Sequence, residues 1–288
     1  MVPTKSTIIT DTATMIDIFH LFNYEFMRLA LLGGVAIAII TSLIGPFLVL
    51  RRLSLLGDGL AHVAFGGVAL GFLLHFDPFI VSLICVIIGS LIVQRLIRNN
   101  IYGDAAIAVI LSFGVGLGVL ITGAVHGFTV DLFTFLIGSI LTLTQSDIIL
   151  ILSILVIMII FIAIFYKKIF FITFNDELAK LQQKDYAIVN FIFTIMVALA
   201  VAVSIRAVGI LLVSALLVLP TLIALQVAKS FKSTIITAAI CSIIAMIIGI
   251  FSSFQLDLPP SGMIVMILLA LFTLLSMKPL ANFIKQLF

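Results

Sequence analysis

Stretches of about twenty apolar residues with little or no charge, parted by short polar breaks, recur along this chain, and no other feature narrows its fold so far. A hydrocarbon core of about 30 Å takes ~20 helical residues to cross at a rise of ~1.5 Å each. Nine stretches meet or nearly meet that length: Leu29–Leu50, Leu55–Leu74, Phe79–Ile97, Ala105–Ala124, Ile148–Tyr166, Tyr186–Ser204, Ala207–Val227, Ser233–Phe251 and Met263–Met277. Composition agrees, since 288 residues that are 64% hydrophobic and 9% charged offer too little polar surface to coat a soluble globule. The expected fold is all-α, a polytopic transmembrane bundle of about nine spans, with eight as the lower count. Residues 1–28 read as an extracytoplasmic N-terminal arm, without the features of a removable signal peptide, and residues 29–288 as a single transmembrane domain.

Orientation follows from the basic residues, which collect in cytoplasmic loops. With Arg51 and Arg52 inside, alternation also puts Arg95, Arg98, Lys167, Lys168, Lys180, Lys184, Lys229, Lys232, Lys278 and Lys285 there, leaving Lys5, Arg28 and Arg206 outside. The N-terminus is thus expected outside and the C-terminus in the cytoplasm. Phe128–Thr144 is apolar but short, and counting it as a crossing would break the charge rule. It reads as an outer half-helix, allowed where irregular backbone meets protein or water. The polar run Asn175–Asp185 has the spacing and mixed charge of a surface helix. Gly67 and Gly71, and the run Gly114, Gly116 and Gly118, supply the small residues by which membrane helices approach closely.

Several chemistries are excluded. Cys85 and Cys241 lie in apolar stretches without the close spacing of a thiolate metal site. No basic run interleaved with aromatics favours nucleic acid, and the net charge of +3 marks membrane topology instead. A phosphate-binding Gly-x-x-x-x-Gly-Lys-Ser/Thr loop is absent, so any work drawn from ATP must come from a separate subunit.

Against this inert background stand Asp58 and His62, four residues apart and so on one face of a helix. Counting from Arg52 at ~1.5 Å per residue puts them ~9 and ~15 Å into the span, the second near its midplane. A carboxylate at that depth costs on the order of 2.5–3.5 kcal/mol by insertion scales, so the face that carries it is expected to meet something polar. Carboxylate and imidazole suit zinc or manganese, and two protein ligands leave positions for water, as a site that must release its ion requires. The competing reading is structural, with Asp58 accepting a hydrogen bond that locks two helices. His75 and His126, near Asp77 and Asp131 at outer ends, are weaker relay candidates and more simply solvated residues; His20 has no evident partner. Asp104 is explained as a helix N-cap and Arg206 as a head-group anchor.

The stretch Arg51 to Gly71 contains Gly57-Asp58-Gly59-Leu60-Ala61-His62 followed by Gly67-Val68-Ala69. It is similar to the Gly-Asp-x-x-x-His-x-x-x-x-Gly-Val-Ala pattern of the permeases of bacterial zinc and manganese ABC importers. Asp131–Ser139, Val208–Pro220 and Pro259–Gly262 extend the resemblance over nearly the whole chain after Leu29. The resemblance implies a permease of the bacterial cytoplasmic membrane that works as a homodimer and is no enzyme itself. Its expected partners are a cytoplasmic ATP-binding subunit, met through Leu222–Thr234, an extracytoplasmic metal-binding protein, and membrane lipid. Asp58 and His62 match the positions expected to contact the transported metal, and no permanently bound cofactor is expected. The form Gly59-Leu60-Ala61-His62 with Gly66-Gly67 is closer to zinc than to manganese members, while Gln183 stands where many relatives carry glycine. The alternative is an ion-coupled secondary carrier acting without an ATPase, for which no internal repeat is visible; a non-transporting scaffold is a third reading.

Overall fold

A computed structural model describes residues 24–124, 138, 140–182 and 184–287, with the side chains of Leu141 and of residues after 276 left aside. Its helices are α1 (Glu25–Leu50), α2 (Leu56–Leu74), α3 (Pro78–Arg98), α4 (Gly103–Ala124), α5 (Gln145–Phe174), α6 (Asp176–Gln182), α7 (Tyr186–Val227), α8 (Phe231–Leu256) and α9 (Pro260–Leu287), with a short 3₁₀ turn at Ile140–Thr142. No strand occurs among the described residues. Seven of these helices are long and apolar enough to cross a membrane, and Pro260–Ser276 is a shorter apolar stretch.

The 42 residues of α7 are two passes rather than one rod. Asn190 bonds Arg51, and Phe193 lies against Phe47, yet the carbonyl of Leu217 abuts Gly45 and its side chain abuts Gly57. A straight helix would hold Asn190 and Leu217 ~40 Å apart, so the chain must turn back between them. It does so at Gly209, whose φ of 80° and ψ of 170° are not helical. The count of nine passes expected from Tyr186–Ser204 and Ala207–Val227 therefore holds.

Helix boundaries differ from hydropathy boundaries. Helix α1 begins at Glu25, inside the segment read as an arm, and α5 runs through Lys167 and Lys168 to Phe174. Hydropathy marks where lipid ends, whereas a helix continues until a cap or breaker stops it. At the starts, Asp77 accepts from the backbone N–H groups of Phe79 and Ile80 ahead of Pro78, Thr144 and Asp147 form a reciprocal capping box, and Ser230 accepts from Ser233 N–H. The surface helix expected in the polar run is α6, with Lys180 paired to Asp176 at 2.6 Å. Leu222–Thr234 is not a helix of its own. It comprises the end of α7, a break at Ala228–Ser230 and the first turn of α8.

Helix α7 packs against α1, α2, α3, α5, α8 and α9, while α2 sits between α3 and α4. Ile80, Ile84, Ile88 and Ile92 form an exposed ladder along α3, and Ile236, Ile240, Ile244 and Ile248 another along α8. Such four-residue apolar stripes suit lipid, the only solvent that tolerates them in series. Thr41 donates to the carbonyls of Ile37 and Ala38, and Ser42 bonds Ser242 at 3.0 Å across helices, whereas the buried Ser204 hydroxyl has no partner.

The outer half-helix falls mostly on residues 128–137 and 139, outside the described residues, as do His20, His126, Asp131 and Gln183. Its described end packs inward. Gly138, with φ of 65°, lies backbone to backbone against Val208 and Gly209, and the buried Ile140 reaches Gly34 on α1.

Candidate functional site

From Leu56 to Gly71, every residue of α2 is buried except Asp58, His62 and Leu70, which share one face. The remaining faces are closed by backbone-close neighbours. Gly67 and Gly71 abut Ser82 and Pro78 on α3, Gly59 meets Ile107 on α4, and Gly57 meets Leu217 on α7. Gly114 of α4 lies so close to the carbonyl group of His62 that an added Cβ would stand 2.6 Å from it. The helix is thus held on three sides, and the two polar side chains take the one side left open.

The side chains of His62 and Asp58 are 30% and 36% exposed, so they are not sealed in dry packing. Their Nε2 and Oδ1 atoms are 3.8 Å apart, beyond a hydrogen bond, so neither group satisfies the other. A carboxylate bonded by its own histidine is therefore not present; the hydrogen bond that ties Asp58 to a second helix comes from Ser214. Two ligands of a tetrahedral zinc ion, each ~2.1 Å from it, lie ~3.4 Å apart, so a rotamer adjustment of a few tenths of an ångström would bring this pair to a common ion. Ser214, on the returning half of α7, donates to Asp58 Oδ1 at 3.3 Å and adds a hydroxyl oxygen from a second helix. Among the described residues no third His, Cys, Asp or Glu joins them.

Ser214 was not legible as part of the site. It lay within the matched stretch Val208–Pro220, but only the reversal at Gly209 brings it onto Asp58. The open stripe continues past it on α7 through Leu211, 71% exposed, and the half-buried Ala215 and Val218.

Other candidates resolve differently. His75 is an exposed residue in the left-handed conformation ending α2, and Asp77 caps α3, so neither joins Asp58. Asp104 lies within the first turn of α4 rather than at its cap; its carboxylate favours the helix dipole from there. Arg206 has partners within the protein: it pairs with Asp147 at 2.7 Å and stacks over Phe79 at 4.5 Å, tying the turn of α7 to the starts of α5 and α3. Cys85 and Cys241 are unpaired and half-buried.

Comparison with known proteins matches residues 23–279 to the model of the ABC 3 transport family. The zinc uptake membrane protein ZnuB of Haemophilus influenzae is 30% identical over 231 residues, spanning 80% of this chain and 88% of that protein. The manganese transport membrane protein MntC of Halalkalibacterium halodurans is 26% identical over 256 residues, 88% of each chain. Among solved structures, PsaBC from Streptococcus pneumoniae in complex with Fab superposes with a TM-score of 0.78 at 27% identity, covering 90% of this chain and 93% of that one. A multi-pass membrane bundle, an open polar stripe, no phosphate loop of its own, and a family match over nearly its whole length lead to one conclusion: the chain belongs to the ABC 3 transport family, as the membrane permease subunit of a metal ABC importer whose ATPase is a separate subunit.

Proposed function

We propose that this permease moves zinc in preference to manganese, and that the ion passes Asp58 and His62 with Ser214 beside them. The observation that carries the site is the half-exposed Asp58–His62 face on a helix otherwise buried from Leu56 to Gly71. An ionisable pair kept partly open at depth must meet water or a passing cation, because lipid would penalise it. The zinc preference rests on the Gly59-Leu60-Ala61-His62 form with Gly66-Gly67, since Asp and His serve either ion. The ion is cargo, and no resident cofactor is proposed.

The open stripe of Asp58, His62, Ser214 and Leu211 is the face we assign to a second copy, so that the pathway runs between two permeases. An ATP-binding subunit and a metal-delivering binding protein complete the importer, as membership of the family implies. The ATPase contact is proposed at Leu222–Thr234, where Leu225 and Val227 are exposed beside Lys229 and Lys232. The same basic end of the bundle carries Arg51, Arg98 and Lys180, which favours the cytoplasm for that end and an outside N-terminus. A secondary carrier acting alone has no support once the family supplies a separate motor.

The test is ATP-dependent uptake of labelled zinc and manganese into vesicles holding this chain and its ATPase. Zinc is expected to be the better cargo, and Asp58→Ala or His62→Ala to abolish uptake while ATPase co-purification persists. Wild-type uptake by both variants removes the site assignment; faster manganese uptake removes only the zinc preference.

A further inference from the structure

At the basic end of the bundle a cavity of about 760 Å³, which Asp58 and His62 do not line, opens among α1, the start of α2, α3, α4, α5, α6 and α7. That volume falls within the range of small-molecule sites. Arg51, Arg52, Arg98 and Lys180 line it, against Asp104 and Asp176. Bases outnumber acids there, and Asp176 is itself held by Lys180 at 2.6 Å and by the Tyr186 hydroxyl at 2.6 Å.

Arg51 is the unusual member. Its guanidinium donates to two neutral groups, Thr173 Oγ1 at 3.1 Å and Asn190 Oδ1 at 2.9 Å, and lies over the Phe193 ring at 4.5 Å. Its remaining terminal nitrogen is shut off from solvent and has no hydrogen-bond partner. No carboxylate pairs with it among the described residues. Burial drives its pKa down to about 10, opposed in part by the nearby Asp176 carboxylate, and it stays protonated at neutral pH. A guanidinium kept in such a place calls for an anion, and its fork of donors matches phosphate oxygens.

We infer that this cavity binds a phosphate group, with Arg51 at its wall and Arg98 and Lys180 at its exposed rim. Basic pockets between transmembrane helices are where anionic lipid head groups seat, so the phosphate belongs either to such a lipid or to a free anion. A bound phosphate would tie the α1–α2 connection below Asp58 to α6 and to the start of α7, independently of which metal is carried.

The test uses the full chain purified in detergent, titrated separately with phosphatidylglycerol, phosphatidylcholine and inorganic phosphate, with unfolding midpoint and lipid retention by native mass spectrometry as readouts. Phosphatidylglycerol is expected to raise the midpoint and stay bound, with phosphatidylcholine doing neither; an equal rise with inorganic phosphate alone identifies a free anion as the source. Arg51→Gln and Arg98→Gln should each weaken the effective anion about ten-fold or more, the equivalent of one charge-assisted hydrogen bond. If Arg51→Gln does not fold, the exposed Arg98→Gln and Lys180→Gln decide. The inference is overturned if neither anion differs from phosphatidylcholine, or if the anion response of the folded variants equals that of the native chain.

Discussion

At the residue scale, the serine beside Asp58 and two ion pairs of different burial make separate predictions. Ser214 donates to Asp58 across two helices and holds that carboxylate in one orientation. Ser214→Ala should therefore keep the subunit folded but lower zinc uptake several-fold, an effect equal to one net hydrogen bond of about 1 kcal/mol; unchanged uptake kinetics would show that the hydroxyl plays no part. Arg206 and Asp147 differ from Lys168 and Asp185 by burial. Asp147 is only 9% exposed, so Arg206→Gln removes the counter-charge of a buried carboxylate and should cost about 1–2 kcal/mol, less than a fully buried pair because Thr144 still donates to Asp147 and Arg206 itself is partly solvated. Lys168 hydrogen-bonds the exposed Asp185 and holds its carboxyl below the usual range. A lowered folded-state pKa adds stability above the unfolded carboxylate's titration and loses it as pH falls through the folded value. Because the pair is solvated, Asp185→Asn should leave the unfolding midpoint nearly unmoved at neutral pH, while Arg206→Gln lowers it.

At the scale of elements, the site depends on how closely α4 approaches α2 and on how α7 turns. A Cβ on Gly114 would strike the backbone of His62 and Val63 at 2.6 Å, whereas one on Gly116, a turn fraction away, meets nothing within 4 Å. Gly114→Ala should thus push α4 off the site helix at a cost of about 1–3 kcal/mol, and Gly116→Ala should be neutral or better in the isolated subunit; thermal unfolding of the two variants distinguishes them. Gly209 has φ of 80° and ψ of 170°, a conformation that strains any residue with a side chain, and an added Cβ on Gly138 would strike its backbone. Gly209→Ala is expected to disrupt the return of α7, displacing Ser214 from Asp58, and to reduce folded yield sharply. A variant that folds and transports normally would mean that the reversal does not depend on this glycine.

At the scale of the whole molecule, the proposed second copy is testable through the open stripe. With Cys85 and Cys241 replaced by alanine, Leu211→Cys should give an oxidant-dependent crosslinked dimer in membranes, while Ile240→Cys on the lipid-facing ladder should not; equal crosslinking at both, or none at Leu211, counts against the shared face. The amino-acid sequence by itself determined the solvent, the helical class, the nine passes and the face shared by Asp58 and His62, because hydropathy and helical periodicity are local and repeat within one or two turns. The family pattern was legible for the same reason, as a contiguous run from Gly57 to Ala69. What a residue meets across the bundle is not local. Arg51 reads as a topology marker until Thr173 and Asn190 close over it; Arg206 reads as an anchor, its partners Asp147 and Phe79 out of view; Ser214 has no role until α7 folds back. Those partners lie on different helices, and only tertiary packing, set by side-chain volume and backbone approach, chooses between them.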